Sequence, residues 1–343
     1  MGETYRAAGV DVDAAEAAVA KISALAEPTR DEHVLSSIGG FAAAVLLPKG
    51  ARDPVLVSST DGVGTKAVLA ADTDRLDTIG VDLVAMCVDD AVCSGAAPLF
   101  LLDYLAVGRV DPERVERIVA GVALGCRTAG CALVGGEIAE HPGVMEPHRF
   151  DLAGFVVGVV ERSEMLGPQR VRVGDRLVGL CSPGLRCNGY SLARRVLFEK
   201  AAMRFDDPAW DGADRTIAEE LLEPSVIYAP TILDCMTRTA AVHACAHVTG
   251  GGLAANLGRV LPPHVDALVE WGSWPVPKIF TEIQRLGEVD AEEMRRVFNM
   301  GVGMVLVVDQ DATGECVAAA AERGIEAWVI GEICPGEGLV RPR

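Results

Sequence analysis

Apolar residues along the chain recur at two spacings, one typical of helices and one of strands. Helical spacing near the start of the chain is shown by Val12, Ala15, Val19, Ile22 and Leu25. Short apolar runs predict strands at 55–57, 98–108, 131–134, 151–160, 176–182, 242–248, 305–308 and 327–330, with a further short strand from the Gly39-Gly40 pair through Leu47. Helices are predicted near 67, at 78–94, 111–129 and 191–202, twice within 214–240, from 253, and up to 323. The pattern therefore predicts a mixed α/β protein.

A charged, turn-rich segment divides this pattern into two parts. Residues 161–175 contain Gly167-Pro168 and Gly174-Asp175 between two strongly apolar stretches. A chain of 343 residues is long enough for two domains, each with its own core. We therefore predict an N-terminal domain over 1–165 and a C-terminal domain over 166–343.

The first candidate binding segment is a glycine turn between a strand and a helix. Asp61 ends the strand, Gly62 and Gly64 shape the turn, and Thr65 and Lys66 stand at the helix start. Turn amides, a hydroxyl, a lysine and a helix N-terminus all suit a phosphate group, and Asp61 suits the magnesium that accompanies nucleotide phosphates. The alternative is a tight turn that carries a solvent-facing lysine. The spacing differs from a Walker loop, because Thr65 separates Gly64 from Lys66.

Acidic residues interrupt apolar runs near this turn. Asp82, Asp89 and Asp90 lie in a predicted helix that is otherwise apolar, and Glu137 follows a glycine pair at the end of a short strand. Helical spacing allows these aspartates to face the same side as Asp61, although they can also face water. Hard cations bind such groups of carboxylates, so Asp61, Asp90 and Glu137 are candidate metal ligands.

Three other glycine turns are candidate ligand contacts. Gly39-Gly40 opens the short N-terminal strand, and the second domain contains a loop over 183–191 and the turn Thr249-Gly250-Gly251-Gly252 before a helix. In the first of these two loops, Asn188 or Ser191 is predicted to cap the following helix. Both loops direct backbone amides toward a helix start, which favours anion binding.

Composition limits the range of functions. The formal net charge is −18, which argues against a nucleic-acid partner, and no apolar run is long enough for a membrane span or a signal peptide. Ten scattered cysteines without Cys-x-x-Cys spacing indicate buried thiols in a reducing, cytoplasmic compartment. Cys187 is the one thiol predicted to be reactive, because it follows Arg186 near a helix start.

Taken in order, these motifs resemble the phosphoribosylformylglycinamidine cyclo-ligase (aminoimidazole ribonucleotide synthetase) family over nearly the whole chain. The resemblance is carried by eight segments: Tyr5-x-x-Ala8-Gly9-Val10-Asp11, Ser59 to Lys66, Asp82 to Met86, Gly95 to Tyr104, Leu133 to Glu137, Asn188 to Leu192, His247 to Gly252 and Asn299 to Met304.

The resemblance implies a two-domain protomer that dimerises through its N-terminal domains, with strands of both subunits forming a shared β-barrel. It also implies that ATP phosphorylates the formyl amide oxygen of formylglycinamidine ribonucleotide to an iminophosphate, that the amidine nitrogen closes the imidazole ring, and that ADP and phosphate leave. On this basis magnesium is held by Asp61, Asp90 and Glu137. ATP or substrate phosphates are held by Gly39, Gly40, Gly62, Gly64, Thr65, Lys66, Thr249, Gly250 and Gly251. The catalytic residues are Lys66, Asp61, Asn188 and Arg186.

Several residues depart from the family pattern. Arg186 and Cys187 stand where the family usually has histidine and serine, Ile138 replaces a threonine, Asp89 replaces an asparagine, and Ser36-Ser37 replaces a glycine. Arginine donates hydrogen bonds but does not exchange protons near neutral pH, whereas histidine does both. Arg186 therefore serves as a phosphate contact or marks an altered mechanism.

Two alternatives remain open from the sequence. One is another enzyme of the same ATP-using superfamily, such as thiamine-phosphate kinase, selenophosphate synthetase or the hydrogenase-maturation dehydratase, or a paralogue acting on a related phosphorylated amide. The other is a catalytically weak binding subunit that keeps the fold and the dimer.

Overall fold

The computed structural model describes residues 12–343, which form two compact units. The first unit comprises the described residues up to Ala91 together with Pro98–Glu161, and the second comprises Val92–Ala97 and Arg162–Arg343. The division after Glu161 lies at the start of the charged segment that suggested a boundary. The motif at Tyr5–Asp11 lies outside the described residues.

The first unit combines a four-stranded sheet with helices. Its elements are α1 (Val12–Ala26), β1 (Pro54–Gly62), α2 (Lys66–Thr73), α3 (Ile79–Val92), β2 (Ala97–Val107), α4 (Pro112–Ala129), β3 (Ala132–Glu140) and β4 (Phe150–Glu161). The strand order is β1-β4-β2-β3. β1 pairs antiparallel with β4, whereas β2 and β3 are parallel. β1 and β3 are therefore the two edges of this sheet.

The two faces of this sheet differ in exposure. Along β4, buried and less buried residues alternate, and Gly154 lies against Leu83 and Cys87 of α3. On the opposite face Leu56, Tyr104 and Phe155 are 59%, 43% and 39% exposed. The first unit thus leaves large apolar side chains uncovered on one face of its sheet.

Helix α4 shows how local sequence sets an element. Asp111 accepts hydrogen bonds from the amides of Glu113 and Arg114, Pro112 occupies the first helical position, and Gly130 ends the helix with a φ of 74°. Its apolar stripe, which includes Val115, Ile118 and Val122, is buried. The predicted helix over 111–129 is confirmed.

The second unit is built on a six-stranded sheet. Its elements are β5 (Arg176–Cys181), α5 (Tyr190–Arg194), α6 (Ile217–Leu221), α7 (Ala229–Thr239), β6 (Val242–His247), α8 (Gly252–Gly258), β7 (Val265–Val269), α9 (Lys278–Gly287), α10 (Ala291–Val297), β8 (Val302–Val308), α11 (Thr313–Glu322), β9 (Ala327–Pro335) and β10 (Val340–Pro342). The strand order is β10-β7-β9-β5-β8-β6. One core cluster packs aliphatic residues of this sheet against Leu253, Leu257 and Trp274.

Several predicted elements differ from the structure. Residues 36–44 form turns and bends, and only an isolated bridge between Val34 and Val45 replaces the predicted strand through Leu47. β1 continues to Gly62 and β3 continues to Glu140, so their polar residues pair within the sheet. α5 has Gly189 at its N-cap position and no capping side chain, so neither Asn188 nor Ser191 serves as the predicted cap. The mixed α/β class is confirmed.

Within residues 12–343, no helix has both the length and the hydropathy needed to cross a membrane.

We predict that Gly80→Ala destabilises the first unit. A β-carbon at Gly80 would lie 2.2 Å from the amide nitrogen of Val122 and 2.4 Å from the carbonyl oxygen of Ile118, so α3 and α4 would have to separate. Overpacking of this kind costs about 1–3 kcal/mol. Thermal unfolding followed by circular dichroism should show a clearly lower midpoint.

Gly314→Ala is the matched control, since a β-carbon at this helical glycine would have no atom within 4 Å. It should leave the unfolding midpoint unchanged or raise it slightly, because alanine favours helix. An unchanged midpoint for Gly80→Ala would contradict the close approach of the two helices.

Candidate active site

The junction between β1 and α2 has the predicted order of strand, turn and helix. Asp61 lies near the end of β1, Gly64 has a φ of 55°, and α2 begins at Lys66. Gly64 and Thr65 are exposed. The Asp61 carboxylate accepts a hydrogen bond from the Gly62 amide at 2.7 Å. An exposed turn next to a helix start can accommodate an anionic group.

Lys66 does not face this turn. Its side chain is 0% exposed, and its Nζ lies 2.7 Å from an Oδ2 of Asp82, which is also buried. A buried ammonium group is stable only with a close partner of opposite charge. The solvent-facing interpretation is therefore wrong, and Lys66 ties the start of α2 to α3. The phosphate contact of Lys66 stays a prediction.

The acidic residues of α3 fall into two groups. Asp82 and Asp89 are buried, which excludes the interpretation that they face water. Asp90 is partly exposed and accepts a hydrogen bond from Ser59 Oγ of β1 at 3.1 Å. Burial and the negative charges of Asp61 and Asp90 raise the pKa of the Cys87 thiol to about 12. Asp61 and Asp90 therefore lie on the same side of β1.

Glu137 lies apart from these two acids. It stands on β3, the edge strand opposite β1, and three strand spacings of the sheet separate the edges by roughly 14 Å. Across residues 12–343, no group of three acidic, histidine or cysteine side chains has the arrangement of a metal site. The structure brings Asp61 and Asp90 to one side of β1 and does not assemble the predicted trio.

A carboxyl group that the sequence analysis left without a role lies beside Glu137. Asp103 of β2 faces Gly136 of β3 in the parallel register, and a β-carbon on Gly136 would lie 2.0 Å from Asp103 Oδ1. Burial raises the pKa of Asp103 to about 7. The sequence shows that Asp103 interrupts an apolar strand. Its contact with the glycine pair could not be predicted without the register of β2 and β3.

In the second unit, three loops lie together at one end of three neighbouring strands. β8 lies between β5 and β6 and is antiparallel to both, so the carboxyl ends of β5 and β6 meet the start of β8. The loop over 182–189 follows β5, and the turn over 249–252 follows β6. Residues 299–301 lead into β8. Ligands commonly bind where loops leave the carboxyl ends of neighbouring strands.

Two buried asparagines hold these loops in shape. Asn256 Nδ2 donates to the Gly252 carbonyl oxygen at 2.8 Å and lies 3.3 and 3.4 Å from those of Gly250 and Thr249. Asn299 Nδ2 donates to the Gly184 carbonyl oxygen at 2.9 Å. Neither role was predicted from the sequence. Asparagines near glycine turns were the available signal.

Asn188 lies close to the second of these loops. A β-carbon on Gly250 would come 3.4 Å from Asn188 Oδ1, so the two predicted glycine segments are neighbours. Gly189 has a φ of 79°, and a β-carbon there would overlap the Phe298 ring at 2.3 Å. The structure therefore brings Asn188, Thr249, Gly250 and Gly251 together, and glycine is required at 189.

Arg186 is buried within this group of loops. Only 1% of the residue is exposed; its Nη1 donates to the Val226 carbonyl oxygen at 2.8 Å, and its Nη2 lies 3.0 Å from His247 Nε2. Its φ of 61° is unfavourable for a residue with a side chain. The guanidinium group therefore points into the protein, which favours a structural role for Arg186 over the predicted contact with phosphate. Cys187 beside it is partly exposed, and its reactivity stays a prediction.

Gly39 and Gly40 lie in an exposed turn, and the neighbouring Phe41 is fully exposed. The contact of Gly39 and Gly40 with phosphate stays a prediction.

Comparison with known proteins identifies the class. The chain matches "AIR synthase related protein, N-terminal domain" over residues 40–160 and "AIR synthase related protein, C-terminal domain" over residues 172–341. Solved structures with the same fold include thiamine-monophosphate kinase from Stenotrophomonas maltophilia, with a TM-score of 0.64, 20% identity and 95% of each chain covered. The hydrogenase maturation protein HypE in complex with ATP has a TM-score of 0.65 at 19% identity, covering 89% of this chain and 84% of its own. These matches define an AIR synthase-related protein.

Curated relatives narrow the class further. Phosphoribosylformylglycinamidine cyclo-ligases from Pseudothermotoga lettingae and Sorangium cellulosum are 48% and 49% identical to this chain; the first match covers 98% of both chains, and the second covers 97% of this chain and 96% of the relative. The enzyme of that name from Geobacillus kaustophilus is 46% identical over 99% of this chain and 98% of its own. The chain belongs to the phosphoribosylformylglycinamidine cyclo-ligase family. This confirms the resemblance drawn from the sequence.

We predict that Lys66→Met destabilises the first unit strongly, because it leaves the Asp82 charge buried without its lysine. Removing one member of a buried ion pair typically costs about 3–5 kcal/mol. The double variant Lys66→Met with Asp82→Leu should recover most of the loss, since both charges are then absent. Urea unfolding of the wild type, both single variants and the double variant measures this coupling.

A Lys66→Met protein that unfolds like the wild type but has lost affinity for ATP would contradict the structural role and support the predicted phosphate contact.

Proposed function

We propose that this protein is a phosphoribosylformylglycinamidine cyclo-ligase, which uses ATP to close the imidazole ring of aminoimidazole ribonucleotide in purine biosynthesis. The single observation that carries the proposal is the near full-length identity of 43–49% to relatives with this name. The neighbouring structure with ATP supports the choice of nucleotide. The cysteine usage supports a cytoplasmic location.

The proposed reaction requires an activated amide oxygen. Transfer of the γ-phosphoryl group from ATP to the formyl oxygen of formylglycinamidine ribonucleotide makes that oxygen a good leaving group. The amidine nitrogen then attacks the same carbon, and phosphate departs as the ring closes. Such chemistry depends mainly on positioning and on neutralising negative charge.

The first unit offers groups suited to the metal-bound end of a nucleotide. Asp61 and Asp90 provide carboxylates on one side of β1, which is the donor type that Mg²⁺ prefers. When bound, Mg²⁺ would neutralise phosphate charge. Gly62, Gly64 and Thr65 form the adjoining turn, of which Gly64 and Thr65 are exposed. We keep Glu137 as a proposed acidic contact from the opposite edge of the sheet, where it lies too far from Asp61 for one ion in this arrangement.

The second unit offers a separate phosphate-binding group. Thr249, Gly250 and Gly251 form a turn in which Asn256 binds the carbonyl oxygens of Thr249 and Gly250, and Asn188 stands beside it. We propose that Asn188 contacts the substrate and that the turn holds one of the phosphates. In this proposal Arg186 supports the group from the protein interior, through its contacts with Val226 and His247, and does not contact the substrate.

The proposal predicts that purified protein with Mg²⁺, ATP and formylglycinamidine ribonucleotide forms ADP and aminoimidazole ribonucleotide in equal amounts. Asp61→Asn should lower kcat at least a hundredfold, because a neutral amide holds the metal poorly. A coupled ADP-release assay, with chromatographic identification of the ring product, measures both.

Glu113→Gln, an exposed position in the first turn of α4, is the matched control and should leave the rate unchanged. ATP hydrolysis without ring product would point to another phosphorylated amide as substrate. Wild-type activity of Asp61→Asn would refute the metal assignment.

We further propose a homodimer that forms through the sheet of the first unit. Leu56, Tyr104 and Phe155 are large apolar side chains on its uncovered face, and Leu56 pairs with Val159 across β1 and β4. A patch of this kind is typical of an interaction surface. The shared β-barrel implied by the resemblance would cover it with the same face of a second copy.

Leu56→Asp should therefore convert the dimer to a monomer, because each subunit would bury a carboxylate in the proposed interface. Sedimentation velocity at micromolar concentrations measures the state. Val144→Asp is the control: Val144 is 79% exposed in the loop between β3 and β4, so its replacement should leave the dimer intact. A wild-type protein that sediments as a monomer would overturn the dimer.

A further inference from the structure

A buried hydrogen bond links the two loops of the second unit that surround Asn188. Arg186 lies in the loop after β5, and His247 is the last residue of β6, two positions before Thr249. Arg186 Nη2 lies 3.0 Å from His247 Nε2, and both residues are at most 5% exposed. The bond therefore joins chain segments that are 61 residues apart in sequence.

The chemistry of arginine fixes the state of this histidine. A guanidinium group only donates hydrogen bonds, so Nε2 of His247 must be the unprotonated acceptor. A neutral imidazole then carries its proton on Nδ1. Because the lone pair of Nε2 is directed at the guanidinium group, His247 cannot use this nitrogen to accept a proton from a substrate.

The guanidinium group is itself held in place from other sides. Nη1 donates to the Val226 carbonyl oxygen at 2.8 Å, and the guanidinium carbon lies 4.8 Å from the centre of the Tyr228 ring. The Tyr228 hydroxyl donates to the Cys181 carbonyl oxygen at 2.7 Å, at the end of β5. Arg186 thus connects the end of β5, the segment before α7 and the end of β6.

The backbone at Arg186 carries a cost. Its φ of 61° lies in the left-handed region of backbone conformation, which residues other than glycine and asparagine rarely adopt. Such conformations persist where surrounding contacts determine them, and they cluster at functional sites. The loop therefore accepts an unfavourable backbone in order to direct this side chain inward.

We propose that Arg186 is a positioning residue that fixes His247 as the Nδ1-protonated tautomer and thereby holds the Thr249–Gly252 turn in its ligand-binding form. The identity of the ligand rests on the proposed function: it is the phosphate of ATP or of formylglycinamidine ribonucleotide. The tautomer and the link between the loops do not depend on that identity.

The tautomer is tested directly by nuclear magnetic resonance on protein labelled with ¹⁵N at histidine. The chain has six histidines, and the His247 signals are assigned by their loss in His247→Gln. We expect an Nε2 shift typical of an unprotonated nitrogen and a protonated Nδ1. In Arg186→Met this preference should be lost. A wild-type His247 protonated at Nε2 overturns the proposal, whatever the enzyme's activity.

The effect on the turn is tested by calorimetric titration with MgATP and, separately, with formylglycinamidine ribonucleotide. Arg186→Met should lower the affinity for one of the two ligands at least tenfold. Arg186→Lys should not restore binding, since an ammonium group lacks the planar fork that reaches both Val226 and His247. His247→Gln should bind at least threefold more tightly than Arg186→Met, because an amide oxygen can accept the bond from Nη2.

His243→Gln is the matched control. His243 lies on the same strand, is also buried, and bonds through Nδ1 to Asp175 Oδ2 at 2.8 Å instead of to Arg186. Its replacement should lower the unfolding midpoint without changing either dissociation constant. If Arg186→Met binds both ligands as the wild type does, or if His243→Gln weakens them equally, the positioning role is refuted. Each ligand is titrated alone and no turnover occurs. A failure of the cyclo-ligase proposal can therefore be distinguished from a failure of the positioning role.

Discussion

The loops of the second unit depend on one constraint: glycine segments have no side chains to hold them, so buried amides from elsewhere must do so. Asn256 binds three carbonyl oxygens of the turn that precedes it, and Asn299 binds the loop after β5 from the start of β8. Glycine gives these loops the freedom to approach a ligand, and this freedom is an entropic cost on folding. The asparagines offset that cost by fixing one conformation. The backbone groups of these loops are thereby held in one conformation before a ligand binds.

Much of the fold could be predicted from the chain itself. The helix over Pro112–Ala129, the strands that begin at Arg176 and Val242, and the positions of the glycine turns followed from apolar spacing and from caps. These features depend on neighbours within a few residues. The strands β7 and β10 and the helices α9 and α10 were not predicted, because their patterns are short and their stability comes from packing in the second unit.

The candidate site was predicted less completely, for a physical reason. Local sequence showed that Lys66 follows a glycine turn, but its partner Asp82 lies on another helix, and the pairing decides whether the lysine meets solvent or interior. The same holds for Arg186, whose direction is set by Val226 and His247. Glu137 was placed with Asp61 because both follow strands, and only the strand order showed that they lie at opposite edges. Motifs predicted which residues matter, whereas tertiary contacts determine what each of them does.

The position of β8 between β5 and β6 also has a consequence for synthesis. β5 ends at Cys181 and β6 at His247, but the strand that joins them begins only at Val302. A nascent chain emerges at about 5–20 residues per second, so both strands leave the ribosome several seconds before their common neighbour. Until then each exposes an unpaired edge, and pairing across such sequence separations is intrinsically slow. The arrangement that brings the binding loops together therefore delays completion of the second unit's sheet until β8 has been synthesised.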